Sequence, residues 1–147
     1  MKDLHYLNIV LDIFRCSVLV LVGADKEAVL KGYPKVFKEL ESRGDPEKDI
    51  DDLKEVLKED DSCFTATTFS FSQDTVSAVV VIYGEDILDV TDEKLVHEMY
   101  HATRRICSSH GVDDEETEAY MLEYLCNQFW CAQDEWKKKV TKKKKKQ

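Results

Sequence analysis

Residues Val76 to Tyr83 read Val-Ser-Ala-Val-Val-Val-Ile-Tyr and stop at Gly84, a short, mostly β-branched run that fits a well-buried strand. Just before it, Cys63 to Ser72 alternates Phe with Thr or Ser, and Gln73-Asp74 has the chemistry of a turn, so the pair predicts a β-hairpin. A second β-rich region opens the chain. Leu-Asn-Ile-Val-Leu-Asp-Ile-Phe from Leu7 gives way at Arg15-Cys16 to Ser-Val-Leu-Val-Leu-Val-Gly over Ser17 to Gly23, which predicts two strands or one bent strand.

Helical spacing follows. Ala28, Val29, Tyr33, Val36, Phe37 and Leu40 recur near the helical period, with Pro34 as a kink or break. From Glu41 to Asp61, acids and lysines dominate around a short amphipathic stretch at Leu53, Val56 and Leu57, as expected of solvated surface. Thr91 can cap a helix whose first turn holds Asp92 and Glu93, with Val90 stapled onto Leu95 and Gly111 as a left-handed stop after Ser109. Asp113 with Glu116 makes a second capping box, opening a helix that reaches roughly Trp136.

At 147 residues, with 43% hydrophobic and 35% charged side chains, the chain suits one globular domain over 1–136. Residues 137–147 hold eight lysines and no acid, the composition of a solvated, disordered tail. The net charge of −9 therefore hides a still more acidic body, which argues against a nucleic-acid partner for that body. No apolar run approaches the roughly 20 residues of a membrane helix, and the first residues lack the order of a secretory signal. A cytoplasmic location is the expectation. The five cysteines include no Cys-x-x-Cys pair and are expected as reduced thiols, mostly in the core.

The chemistry concentrates in Leu95-Val-His97-Glu98-Met-Tyr-His101-Ala102. Histidines four apart stand one turn above the other on one helix face, where both imidazoles can reach a single Zn²⁺. Glu98, beside the metal rather than on it, is placed to act as general base toward a water of lowered pKa. A third protein ligand is needed if the metal is to keep an open position. The long variant, with a glycine and a third histidine shortly after, does not fit, because Arg104 and Cys107 occupy those positions. The next helix offers acids instead. At about 100° per residue, Glu118 falls at the centre of the stripe set by Leu122, Leu125 and Phe129, while Glu115 lies roughly 60° aside and Glu116 points away. A carboxylate aimed into a core must meet a cation or a metal. Glu118 is the expected third ligand and Glu115 the reserve. Tyr100, Tyr120, Tyr124 and His110 are candidate oxyanion donors, and Cys107 is expected to be a packing residue.

His97-Glu-x-x-His101 followed one helix later by Glu118-Ala119-Tyr120 resembles the compact glutamate zincins. These include the ImmA/IrrE-type peptidases, with their Glu-Ala-(Asn/Asp) segment, and small phage-encoded proteins of the same pattern. The resemblance spans Val79 to about Phe129, with Tyr120 replacing Asn or Asp. It implies a zincin-like fold in which a sheet lies beside the active-site helix and its edge strand holds an extended peptide.

The expected fold is therefore α+β: a small, mainly antiparallel sheet packed against the helices that begin at Thr91 and Asp114. The expected activity is zinc-dependent hydrolysis of peptide bonds in a peptide or protein substrate, with His97, His101 and Glu118 on the metal and Glu98 as base. The alternative is a non-catalytic, zinc-stabilised interaction protein; hydrolysis of another amide or an ester comes third, since such a motif fixes chemistry more firmly than substrate.

Overall fold

The computed structural model describes residues 4–23, 25–39, 51, 54–55, 66–69, 76–83 and 88–146. The fold is α+β. Strands β1 (His5–Leu11), β2 (Cys16–Gly23), β3 (Ala66–Phe69) and β4 (Val76–Tyr83) form one sheet in the order β1-β2-β4-β3. The helices are α1 (Lys26–Glu39), α2 (Asp92–Ser109) and α3 (Glu115–Lys145).

The opening β-rich segment is two strands. A 3-10 turn at Asp12–Phe14 and a left-handed Arg15 (φ 51°) reverse the chain, and β2 returns antiparallel, Leu11 opposite Cys16 and His5 opposite Val22. β3 and β4 also pair antiparallel, Phe69 opposite Val79, as the hairpin reading expects. The turn at Gln73-Asp74 lies outside the described residues, as does the 41–61 segment apart from helical positions 51, 54 and 55.

Two of the three pairings are thus antiparallel, as expected of a mainly antiparallel sheet, and the joint between the two hairpins makes the sheet mixed: β2 and β4 run parallel, Val18 beside Ala78 and Val22 beside Ile82. A parallel neighbour demands a crossover rather than a tight turn. Here α1 belongs to that connection, and it covers the sheet face opposite to α2 and α3. Alternate residues of the central strands sort accordingly. Leu19, Leu21, Val79 and Val81 pack with Val29, Tyr33 and Val36 of α1. Val18, Val20, Val22, Ala78, Val80 and Ile82 pack with Leu95, Met99, Ala102 and Ile106 of α2 and with Met121, Leu125 and Phe129 of α3. β2 is thus buried on both faces. Pro34 sits exposed inside α1 without ending it.

Helix α2 begins and ends where its punctuation places it. Thr91 is the N-cap, Val90 and Leu95 are both buried in one cluster, and Gly111 takes the left-handed conformation (φ +67°) just past the end. For α3 the cap is Asp114 rather than Asp113, its carboxylate accepting from the Glu116 N–H and the Thr117 hydroxyl. The helix continues past Trp136 to Lys145, so residues 137–145 are helical where a disordered tail is expected. Lysine is a good helix former, extension of an existing helix adds a bond per residue without a new nucleus, and cations suit a helix C-terminus.

Candidate metal centre

The inward face of α2 is fixed by Leu95, Met99, Ala102 and Ile106, all buried against the sheet and α3. That anchoring decides where the motif residues stand. Glu98, next to Met99, lies at the margin of the buried face and is 6% exposed. His97 and His101 lie on the outer flank, both exposed.

The two imidazoles converge. His97 Nε2 and His101 Nε2 are 3.3 Å apart, their rings 4.9 Å between centroids at 76°. Two nitrogens bound to one tetrahedral zinc at 2.0–2.1 Å are separated by about 3.3–3.4 Å, so the pair already spans the edge of such a polyhedron. Glu98 Oε1 is 3.9 Å from His97 Nε2, beside the pair and outside bonding distance of it. Two imidazoles and an adjacent carboxylate are donors that suit zinc.

Glu118 arrives on the first turn of α3 with its side chain 16% exposed, largely covered as its place on the apolar stripe implies. Its partner is a guanidinium. Arg104 Nη1 donates to Glu118 Oε1 at 2.5 Å, and this hydrogen bond and charge raise the Arg104 pKa further above its ordinary value. Among the described residues, no three His, Cys, Asp or Glu side chains come together closely enough to hold a metal ion. The expected ligands therefore divide: His97 and His101 meet, and Glu118 is engaged by Arg104. Glu115 is exposed.

The surrounding candidates separate as well. Tyr124 donates its hydroxyl to the Val10 carbonyl at 3.3 Å. His110 Nδ1 lies 2.9 Å from the Ile106 carbonyl and its ring lies against Phe14, so both of these groups serve structure. Tyr120 is two-thirds exposed. Tyr100 stands beside the pair, its ring 6.4 Å from that of His101 and half-exposed. Cys107 is buried in the core, and desolvation, followed by the nearby negative charge of Glu118, raises its thiol pKa.

Arg104, which meets Glu118 across the two helices, is the neighbour that sequence reasoning did not single out. Its signal was its position three residues after His101 and seven after His97, on the same helical stripe. No protein-family model matches this chain, and no curated protein or solved structure does.

Proposed function

We propose that the protein is a zinc-dependent metallopeptidase whose metal is held by His97, His101 and Glu118 and whose general base is Glu98. The observation that carries this reading is the 3.3 Å separation of His97 Nε2 and His101 Nε2, the span of two ligands on one tetrahedral zinc, with Glu98 beside them. Its resemblance to the glutamate zincins points the same way.

When bound, zinc supplies Lewis acidity that lowers the pKa of water and polarises a carbonyl. The chain does the rest. The helical spacing of His97 and His101 presents both nitrogens without further ordering of backbone. Glu98 accepts a proton from the attacking water at its carboxylate and passes it to the leaving amine. Its position at the buried margin of α2 limits its rotamers, and Tyr100, on the same helix beside His101, is the side chain placed to donate to an oxyanion. The β3 edge lies next to α2, and a sheet edge can take an extended peptide as a further strand.

One observation favours a second reading. With Glu118 paired to Arg104, a zinc bound by the two histidines alone would brace one turn of α2 without supporting cleavage. Glu98→Gln separates the two. In a peptidase this variant retains about one zinc per chain and loses at least about 100-fold in cleavage of a mixed peptide library; cleavage undiminished in the metal-loaded variant would sink the assignment of Glu98.

A further inference from the structure

We propose that Arg104 is a positioning residue that holds the Glu118 carboxylate away from the His97–His101 pair, so that zinc binding exchanges a guanidinium for the metal at Glu118. The inference rests on the zinc-site reading above and concerns how that site is controlled.

His97, His101 and Arg104 follow one another at i, i+4 and i+7 along α2 and form a single stripe. At a rise of about 1.5 Å per residue, Arg104 stands roughly 4.5 Å along the axis beyond His101, on the same side. The first turn of α3 delivers Glu118 to the Arg104 end of that stripe. A covered carboxylate needs a cation, and the stripe can provide two: the permanent charge of Arg104, or a metal at the histidines. The structure holds the first arrangement. Glu118 Oε1 accepts from Arg104 Nη1, and among the described residues the Glu118 side chain makes no other hydrogen bond.

The two arrangements compete. A guanidinium on Glu118 Oε1 puts a permanent positive charge beside any dication that the same carboxylate would ligate, so the two cations compete for one negative charge. Arg104 is itself 55% exposed and can swing into water once released, whereas Glu118 is anchored by the buried apolar stripe of α3. The element that moves is therefore the arginine, and the occupancy of Glu118 by Arg104 sets a threshold zinc concentration for a complete site. Such a threshold keeps the third ligand neutralised while metal is scarce.

The test is a zinc titration of the full chain in competition with a chromophoric chelator. Arg104→Met, which keeps the apolar stem and removes the cation, is expected to bind zinc about tenfold more tightly than wild type. Arg104→Lys, which retains a cation, is expected within about threefold of wild type, and Glu118→Gln weaker than wild type by about tenfold or more. Arg104→Gln serves the same purpose if the methionine variant does not fold. Tightening on loss of the cation distinguishes this role from a structural one, since simple damage to the α2–α3 contact would weaken binding. Equal or weaker binding by the cation-free variants, with Glu118→Gln still impaired, overturns the inference and leaves the zinc site standing. Wild-type affinity in Glu118→Gln removes Glu118 from the ligand set and overturns it as well. Zinc bound by none of the chains would take the functional reading down together with it.

Discussion

His97 and His101 face each other across one turn of α2 with their Nε2 atoms 3.3 Å apart. That span is close to the separation of two nitrogen ligands on one tetrahedral zinc, so the helix alone sets the pair at the spacing a metal would require.

Loss of either histidine should therefore remove the metal. Elemental analysis of protein purified without added zinc is expected to give about one zinc per wild-type chain and near none for His97→Ala or His101→Ala. Added zinc should raise the melting temperature of wild type and leave both variants unchanged. A zinc-insensitive wild type would mean that the histidines are only neighbours on a helix.

The start of α2 is clipped to the middle of α3 by Trp130, whose Nε1–H donates to Asp92 Oδ1 at 3.0 Å. Trp130→Phe keeps most of the packing and deletes this bond. A loss of about 1 kcal/mol in urea unfolding is expected, because Asp92 stays open to water.

Deeper in the core the cost rises. Phe129 is fully buried between the helices and the sheet. Phe129→Ala should destabilise the protein by about 3–5 kcal/mol, measured by the same unfolding, and should lower zinc affinity only through stability.

Asp114 gives an acid-side signature. The Thr117 hydroxyl at 2.7 Å and the Glu116 N–H at 3.3 Å hold its pKa below the ordinary carboxylate value. A lowered folded-state pKa contributes stability that is complete above the unfolded value of about 3.9 and is lost as pH falls through the folded one. Wild type should thus melt above Asp114→Asn near neutral pH, with the gap closing below about pH 4. A gap independent of pH would contradict the cap's charge dependence.

Thiol chemistry should discriminate among the described cysteines. Cys16, Cys107 and Cys126 are buried, and burial pushes the Cys126 thiol up to about 11, whereas Cys131 is exposed. In the native protein at neutral pH, alkylation read by peptide mass spectrometry should mark Cys131 well before these three, which should react only on unfolding.

Local features were the legible ones. The Val76–Tyr83 run declared its strand, Thr91 and Gly111 bracketed α2, and the meeting of His97 with His101 follows from helical spacing inside one element. Relations between elements were less legible. Periodicity turned Glu118 toward the interior, but it could not say which residue of α2 lay across from it, and a cation or a metal satisfied the same electrostatic demand. The parallel β2–β4 joint depends likewise on which sheet face α1 crosses, a matter of long-range packing that no window of sequence contains. The lysine segment is a further case: its composition alone suits disorder, while its attachment to α3 supplies the nucleus that a free segment lacks.

The placement of β2 between β1 and β4 bears on how the chain comes into being. β1 and β2 can pair as soon as they are made, but the second edge of β2 waits for β4, on the far side of residues 24–75. During that interval a row of unpaired backbone groups and an apolar strand have no permanent shelter. Synthesis of this protein therefore includes a vulnerable stage, when an interrupted chain offers a sticky strand to other chains, and its yield in a cell should depend on how quickly that stage passes or on a chaperone that covers it.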